Sequence, residues 1–160
     1  MKKNKAADIM SKHLTTIAFD AGLAEALALM TAKRIRHLPV IDTTGATVGI
    51  LSDRDLRRAM KPDSQNAQFD PAHRVKDFMT WPACSVSTQT PLFEVAEQML
   101  RDRFSAYLVV AHDRRHPCGI ITTDDMIKLL LVLLVNDPTR GRLSLGEFMD
   151  NPAYEKPLWS

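Results

Sequence analysis

Apolar residues recur along the chain with the period of a helix in some segments and as short strand-like runs in others. Leu23, Ala26, Leu27 and Met30 follow the i, i+3, i+4, i+7 spacing of an amphipathic helix. Two short apolar runs follow, at 37–42 (HLPVID) and 48–52 (VGILS), on either side of a polar turn that contains a glycine. The pattern predicts a helix followed by a two-stranded hairpin.

The same order of elements recurs further along the chain. Leu92, Val95, Ala96 and Met99 repeat the helical spacing. Strands are predicted at 107–111 and 118–122 around the loop 112–117. A helix follows each hairpin, from about residue 53 and over 123–135, and a short strand precedes each first helix, near 16–18 and 85–87. Each unit is therefore predicted to be β-α-β-β-α, and the chain contains two of them.

Residue-for-residue similarity supports a duplication. At an offset of 69, residues 8–11 (DIMS) fall on 77–80 (DFMT). The same offset aligns five identical pairs: Leu23 with Leu92, Glu25 with Glu94, Met30 with Met99, Arg34 with Arg103 and Val40 with Val109. After a one-residue insertion in the turn, 49–56 (GILSDRDL) falls on 119–126 (GIITTDDM). We assign the first repeat to residues 6–60, a polar linker to 61–74, the second repeat to 75–135 and an irregular tail to 136–160.

The repeat predicts how the chain folds. A half of about 60 residues has a marginal core by itself, and its sheet has one face that the helices leave uncovered. Pairing the two sheets buries both of these faces. We therefore predict an α+β fold in which two β-α-β-β-α repeats pack sheet to sheet with pseudo-twofold symmetry. Such packing leaves two related clefts at the seam, where ligands commonly bind.

The matched stretches Gly-Ile-Leu-Ser-x-x-Asp and Gly-Ile-Ile-Thr-x-x-Asp are the sharpest motif. In each, a strand ends at a hydroxyl residue and a helix begins, with a carboxylate in its first turn. Asp55 and Asp125 can accept two hydrogen bonds from a ribose diol, while Ser52 and Thr122 lie at a helix N-terminus that suits phosphate. The alternative is a capping box, in which the carboxylate bonds back to the amide of the hydroxyl residue. The spacing alone leaves both interpretations open.

With the segments 8–10 (DIM), 77–79 (DFM) and 36–42 (RHLPVID), these stretches resemble the tandem CBS-domain family, the module named for cystathionine β-synthase. The resemblance covers roughly residues 6–135. It implies a pair that dimerises into a disc and binds adenosine-type ligands in its clefts. It also implies that the motif aspartates bind ribose and that the motif hydroxyls and nearby basic residues bind phosphate. The residues it assigns to framing the base, partly through the backbone, are Thr16, Ile17, Ser85 and Val86.

The two repeats differ where the resemblance implies phosphate contacts. Arg36 and His37 are positioned like phosphate-contacting residues of the family, whereas the second repeat has Ser105 and Ala106 at these positions. Arg54 adds positive charge beside the first motif, and Asp124 at the equivalent position repels phosphate. We therefore expect unequal clefts, although the sequence does not show which cleft receives Arg36 and His37.

Composition excludes several classes of protein. The chain has 160 residues and a formal net charge of +2, which argues against nucleic acid as a partner. No apolar segment follows the basic N-terminus, and the apolar run 129–135 is too short to cross a membrane, so we expect a cytoplasmic protein. His112, His116 and Cys118 lie close in sequence without a fourth ligand, and we expect no metal site.

No catalytic motif is present, so we do not expect an enzyme. The run 127–135 is apolar nearly all round, which predicts a helix buried on most sides, partly in a homodimer interface. We expect a regulatory module that senses AMP, ADP or ATP, requires no cofactor and acts on an unidentified effector protein. The alternatives are an oligomerisation module without a ligand, or a module for S-adenosylmethionine, NAD or nucleic acid.

Overall fold

Two three-stranded sheets, one from each repeat, form the frame of the protein. The computed structural model describes residues 4–60, 69–111 and 116–135. The first sheet contains β1 (Ile17–Ala18), β2 (His37–Ile41) and β3 (Thr47–Ser52), and the second contains β4 (Ser85–Ser87), β5 (Ala106–Val110) and β6 (Pro117–Thr122). In both sheets the central strand is parallel to the strand that precedes its helix and antiparallel to its hairpin partner.

The helices follow in the predicted order. They are α1 (Ala6–Ile9), α2 (Leu23–Lys33), α3 (Asp53–Ala59), α4 (Leu92–Asp102) and α5 (Thr123–Val135), with a short 3-10 helix at Val75–Asp77. The mixed α and β fold with two β-α-β-β-α repeats is confirmed. The sequence patterns did not predict α1 or the 3-10 helix, because four and three residues are too few to show a helical period.

Alternate residues of the strands face opposite sides of each sheet, which separates the interior into three apolar layers. Leu38, Val40 and Leu51 face the helices of the first repeat. Tyr107, Val109 and Ile121 face the helices of the second repeat. The layer between the sheets contains Ile50, Ala106, Leu108 and Ile120. The predicted packing of sheet on sheet is therefore confirmed.

The segment that opens each repeat packs on the other repeat. Ala6, Ile9 and Met10 lie in the core of the second repeat, while Val75 and residues 78–79 lie in the core of the first. Ser11 exchanges two backbone hydrogen bonds with Ile120, and Thr80 exchanges two with Ile50. The division at 6–60 and 75–135 thus follows the sequence repeat, whereas each packed half contains a segment of the other.

Two of the predicted connecting segments are described only in part or not at all. Phe69, within the predicted linker 61–74, packs against the core of the first repeat, and Arg74 forms a bridge with Gly22. Residues 61–68 and the predicted tail 136–160 lie outside the described residues.

Within the single chain, α5 packs on one side only, so its predicted burial on most sides, partly in a homodimer interface, stays a prediction. Met126 and Leu129 pack against the core of the second repeat, but no residue of α5 is fully buried. Side chains on all its other faces are exposed, six of them by more than half: Ile127, Leu130, Leu131, Val132, Leu133 and Val135. The helix is apolar all round, and one repeat offers only one face for it to pack against.

Gly49 and Gly119 allow the exchanged segments to approach the strands. A Cβ on Gly49 would lie 2.8 Å from the carbonyl oxygen of Thr80 and 2.7 Å from the Met79 sulfur. A Cβ on Gly119 would lie 2.9 Å from the carbonyl oxygen of Ser11 and 2.6 Å from the Met10 sulfur. Both motif glycines are therefore required by the packing of the two halves, independently of any ligand.

Replacing either glycine with alanine should destabilise the protein by overpacking this contact. We expect Gly49→Ala and Gly119→Ala each to reduce the free energy of unfolding by about 1–3 kcal/mol, measured by urea unfolding. Gly22→Ser is the control, because a Cβ there meets no heavy atom within 4 Å and serine suits the N-cap of α2. Equal stability of all three variants would contradict the role given to the contact.

Candidate functional site

Two clefts lie at the seam and are related by the pseudo-twofold axis. The first cleft has Ser52 and Asp55 from the first repeat and residues 103–105 from the second, with a volume of about 650 Å³ that includes its open mouth. The second cleft has Thr122 and Asp125 from the second repeat and residues 34–36 from the first, with about 850 Å³ measured in the same way.

Both motif aspartates form the capping box that the sequence left open as an alternative. Asp55 Oδ2 accepts hydrogen bonds from the Ser52 amide at 2.9 Å and from Ser52 Oγ at 2.6 Å. Asp125 Oδ2 accepts the equivalent bonds from the Thr122 amide at 2.9 Å and from Thr122 Oγ1 at 2.7 Å. These bonds hold each carboxylate at the junction of strand and helix, on the wall of its cleft.

The cap occupies only one oxygen of each carboxylate. Asp55 Oδ1 accepts a hydrogen bond from Arg58 Nη2 at 3.0 Å. Asp125 Oδ1 lies 3.9 Å from Lys128 Nζ, which is an ion-pair distance and too long for a hydrogen bond. A ligand hydroxyl can therefore approach the outer oxygen of Asp125 while the cap stays intact, so capping and ribose binding are compatible.

The structure places Arg36 in the second cleft, opposite Thr122 and Asp125. There Arg36 forms an ion pair with Asp124 across the seam. His37 lies between the clefts and lines both of them. Its Nε2 is 2.8 Å from Ser105 Oγ of the other repeat. Arg54 lines the first cleft, as its position beside the first motif predicts.

The four residues predicted to frame a base do not line either cleft. Ile17 and Val86 are buried in the cores on the helix side of their sheets, and Thr16 and Ser85 are exposed. The cleft walls contain residues nearer the start of the same segments, which are Leu14 and Thr15 in the second cleft and Cys84 in the first.

The sequence interpretation assigned no role to Arg34 and Arg103, which line the second and first clefts respectively. Their signal was present in the sequence, because arginine occupies the same position in both repeats while most surface positions differ. The signal was not decisive, since an arginine at the end of an amphipathic helix is also typical of a solvated surface.

Burial lowers the pKa of His37 below its ordinary value of 6.5, and Arg36 acts in the same direction. Asp53, Asp124 and Asp55 raise it but do not overcome the cost of burial. The neutral imidazole is therefore favoured in the folded protein, where it can share a hydrogen bond with the Ser105 hydroxyl.

Neither a metal centre nor a membrane span is found in the described part of the chain. No group of three or more His, Cys, Asp or Glu side chains in residues 4–60, 69–111 and 116–135 is arranged to hold a metal ion. His112, one of the three potential ligands noted in the sequence, lies outside these ranges. Within the same ranges, no helix has both the length and the apolar character needed to cross a membrane.

Comparisons with known proteins agree with this architecture. The family model of the CBS domain matches residues 6–62 and 75–132. A CBS domain-containing protein of Dictyostelium discoideum is 31% identical over 83% of this chain and 95% of its own length. By contrast, the chain spans only 24% of the homoserine O-acetyltransferase of Methanohalobium evestigatum, to which it is 27% identical over 78% of its own residues.

Two solved structures show the same fold with ligands. The CBS domain pair of protein MJ0100, in complex with 5′-methylthioadenosine and S-adenosyl-L-methionine, has a TM-score of 0.67 and 28% identity over 81% of this chain and 97% of that one. CBSX2 in complex with AMP has a TM-score of 0.67 and 25% identity over 82% of this chain and 99% of that one.

The lowered pKa of His37 predicts acid sensitivity. As pH falls below about 6.5, the unfolded chain binds a proton at His37 that the folded protein resists, so stability decreases towards the lower folded pKa. His37→Gln should reduce the drop in Tm between about pH 7.5 and pH 5.5, because glutamine does not titrate. An unchanged drop in the His37 variant would contradict the assignment.

Proposed function

The chain belongs to the CBS-domain family, and on that premise we propose that it is a regulatory module that binds an adenosine-containing ligand in its seam clefts. The observation that carries the proposal is the arrangement of Asp125, which lines the second cleft and whose Oδ2 is held by the helix cap while Oδ1 lies 3.9 Å from Lys128 Nζ, too far for a hydrogen bond. The structures with bound 5′-methylthioadenosine, S-adenosyl-L-methionine and AMP support this class of ligand.

The chemistry of the cleft walls assigns parts of the ligand to residues. In its own cleft, each of Asp55 and Asp125 accepts hydrogen bonds from the two hydroxyls of a ribose, since a carboxylate binds a vicinal diol with paired hydrogen bonds. Arg36, His37 and Arg54 are proposed contacts for phosphate, because cationic and N–H groups donate to phosphate oxygens. Ser52 and Thr122 are also proposed contacts, but each hydroxyl donates its single proton to the capping aspartate and would have to turn from it to donate to a phosphate.

For the base, we add Leu14, Thr15 and Cys84 to the residues predicted from the sequence. These three side chains lie on the cleft walls and offer apolar and weakly polar surface for a flat ring. The contacts predicted for Thr16, Ile17, Ser85 and Val86 remain predictions, and they would have to involve the backbone, since Ile17 and Val86 are buried elsewhere.

AMP, ADP and ATP are the proposed ligands, and S-adenosylmethionine is the second candidate because a similar pair binds it. All of these share the adenosine that the aspartates would recognise. These ligands differ in charge. We therefore propose that the unequal charges of the two clefts determine which of the ligands each cleft prefers. We propose that the module acts without catalysis, in the cytoplasm, on an effector protein of unknown identity.

We also propose that ligand binding is transmitted through a homodimer that covers α5. The six side chains of α5 that are more than half exposed form a larger apolar surface than a monomeric protein commonly leaves in water. Phe93 and Leu100 of the neighbouring α4 are also more than half exposed and extend this surface. A second copy presents the same apolar face and can cover it by twofold symmetry.

Thermal unfolding with AMP, ADP, ATP, NAD and S-adenosylmethionine tests the ligand. A ligand at about 100 times its Kd should stabilise the protein by roughly 2.7 kcal/mol, which raises Tm by on the order of 5–10 °C. We expect Asp55→Asn or Asp125→Asn to remove much of this rise, because the amide cannot accept both ribose hydroxyls while capping its helix.

The ligand-induced rise must be compared within each variant, since either change also weakens a helix cap. Asp53→Asn is the matched control, because Asp53 lies in the first turn of α3, pairs with Arg57 and lines neither cleft. The control should keep the full rise. If no compound shifts Tm at millimolar concentration, the nucleotide proposal is wrong and an oligomerisation module is the better interpretation.

Sedimentation tests the dimer. We expect the wild type to sediment as a dimer, and Leu130→Glu or Leu133→Glu to dissociate it, because each change would bury a charge in the apolar interface. Trp81→Glu is the control, since Trp81 is a large apolar residue that is even more exposed but lies on neither α4 nor α5. A wild-type protein that stays monomeric at all concentrations would overturn this part of the proposal.

A further inference from the structure

Arg34 and Arg103 follow the C-terminal ends of α2 and α4 with left-handed backbones. Their φ angles are +53° and +57°, and among the described residues no other non-glycine residue has a positive φ. Glycine is the usual residue at such a helix end, because a Cβ disfavours the left-handed region. Strained backbones of this kind cluster at ligand-binding sites, where the surrounding structure maintains them.

Each of these arginines lies at the seam, on the wall of a cleft that is formed with the other repeat. Arg103, from the second repeat, lines the first cleft beside Ser52 and Asp55. Arg34, from the first repeat, lines the second cleft beside Thr122 and Asp125. Neither arginine belongs to an ion pair or side-chain hydrogen bond formed among the described residues. Both positive charges are therefore available to a ligand.

The first cleft combines two such charges. Arg54, on α3 of the first repeat, is likewise without an ionic partner in the part of the chain that the structure describes. Arg54 and Arg103 also line an adjoining hollow next to Leu100 of α4, so they lie where the first cleft opens into it. Arg58, a further cation of this cleft, already binds Asp55.

The second cleft has a different balance of charge. Asp124 occupies the position of Arg54, and it pairs with Arg36. A phosphate group that approaches Arg36 must displace this carboxylate and is repelled by it. Of the two arginines in residues 34–36, Arg34 is then the one that stays available to an anion. Lys128, another cation of this cleft, lies near Asp125.

We propose that Arg103 is a specificity-determining residue of the first cleft, where it acts with Arg54 to bind the phosphate groups of an anionic adenosine ligand. The first cleft then selects phosphorylated adenosine ligands such as ATP over uncharged adenosine, while the second cleft, with its internal ion pair, discriminates less between them. This inference rests on the proposed function and names the class of ligand that each cleft prefers.

Titration calorimetry with ATP and with adenosine tests the proposal on the full chain. Arg103→Gly should weaken binding of ATP at its tighter site by about 10- to 100-fold, the effect of losing a charge-assisted hydrogen bond. Binding of adenosine should change less than about twofold. The ligand-free Tm should not fall, because glycine suits the left-handed backbone. Arg103→Lys, which keeps the charge, should retain most of the preference for ATP.

Arg34→Gly is the matched control, since it removes the equivalent arginine with the same backbone from the second cleft. It should leave the tighter ATP site unchanged. Wild-type protein that binds ATP, with an unchanged ratio of ATP to adenosine affinity in Arg103→Gly, would overturn this inference alone. Equal loss of both affinities would assign Arg103 a structural role and also overturn it. Wild-type protein that binds neither compound would overturn the proposed function and this inference together.

Discussion

The opening segment of each repeat lies against a strand of the other, at a distance that only glycine permits. Met79 and Thr80 contact Gly49, and residues 10–11 contact Gly119 in the same way. These two contacts hold the halves in one relative position. The seam, its apolar layer and both clefts depend on that position, because each cleft takes its walls from both repeats.

The junction of strand and helix in each repeat serves both the helix and the cleft. Ser52 and Asp55 satisfy each other and the first amides of α3, and Thr122 and Asp125 do the same for α5. This capping uses one oxygen of each carboxylate. The local structure therefore holds the carboxylate in place and leaves its second oxygen able to accept another hydrogen bond. The interaction that stabilises the helix start also prepares an acceptor for a ligand, and the helix and the cleft are therefore not competing explanations of the motif.

The duplication produced similar clefts, and a few substitutions made them different. Arg54 corresponds to Asp124, and Arg36 corresponds to Ser105. Arg54 and Ser105 line the first cleft, whereas Arg36 and Asp124 line the second. Each of these differences therefore alters the charge of one cleft while the fold stays the same. His37 contacts Ser105 and lines both clefts, so the two sites share a side chain whose protonation burial disfavours.

The order of elements, the duplication and the capping motif could be predicted from the sequence, because periodicity, turn residues and caps depend on neighbours within a few positions. The sheet-to-sheet packing also followed, since each half by itself leaves an apolar face. The sequence did not determine the exchange of the opening segments, the cleft that receives Arg36, or the burial of Ile17 away from the clefts. These features depend on contacts between residues far apart in the sequence, such as Thr80 with Ile50 and Arg36 with Asp124. Local patterns contain no information about which distant surfaces meet. The sequence alone determined what each repeat is, and the tertiary structure decided which residues of the two repeats share a cleft.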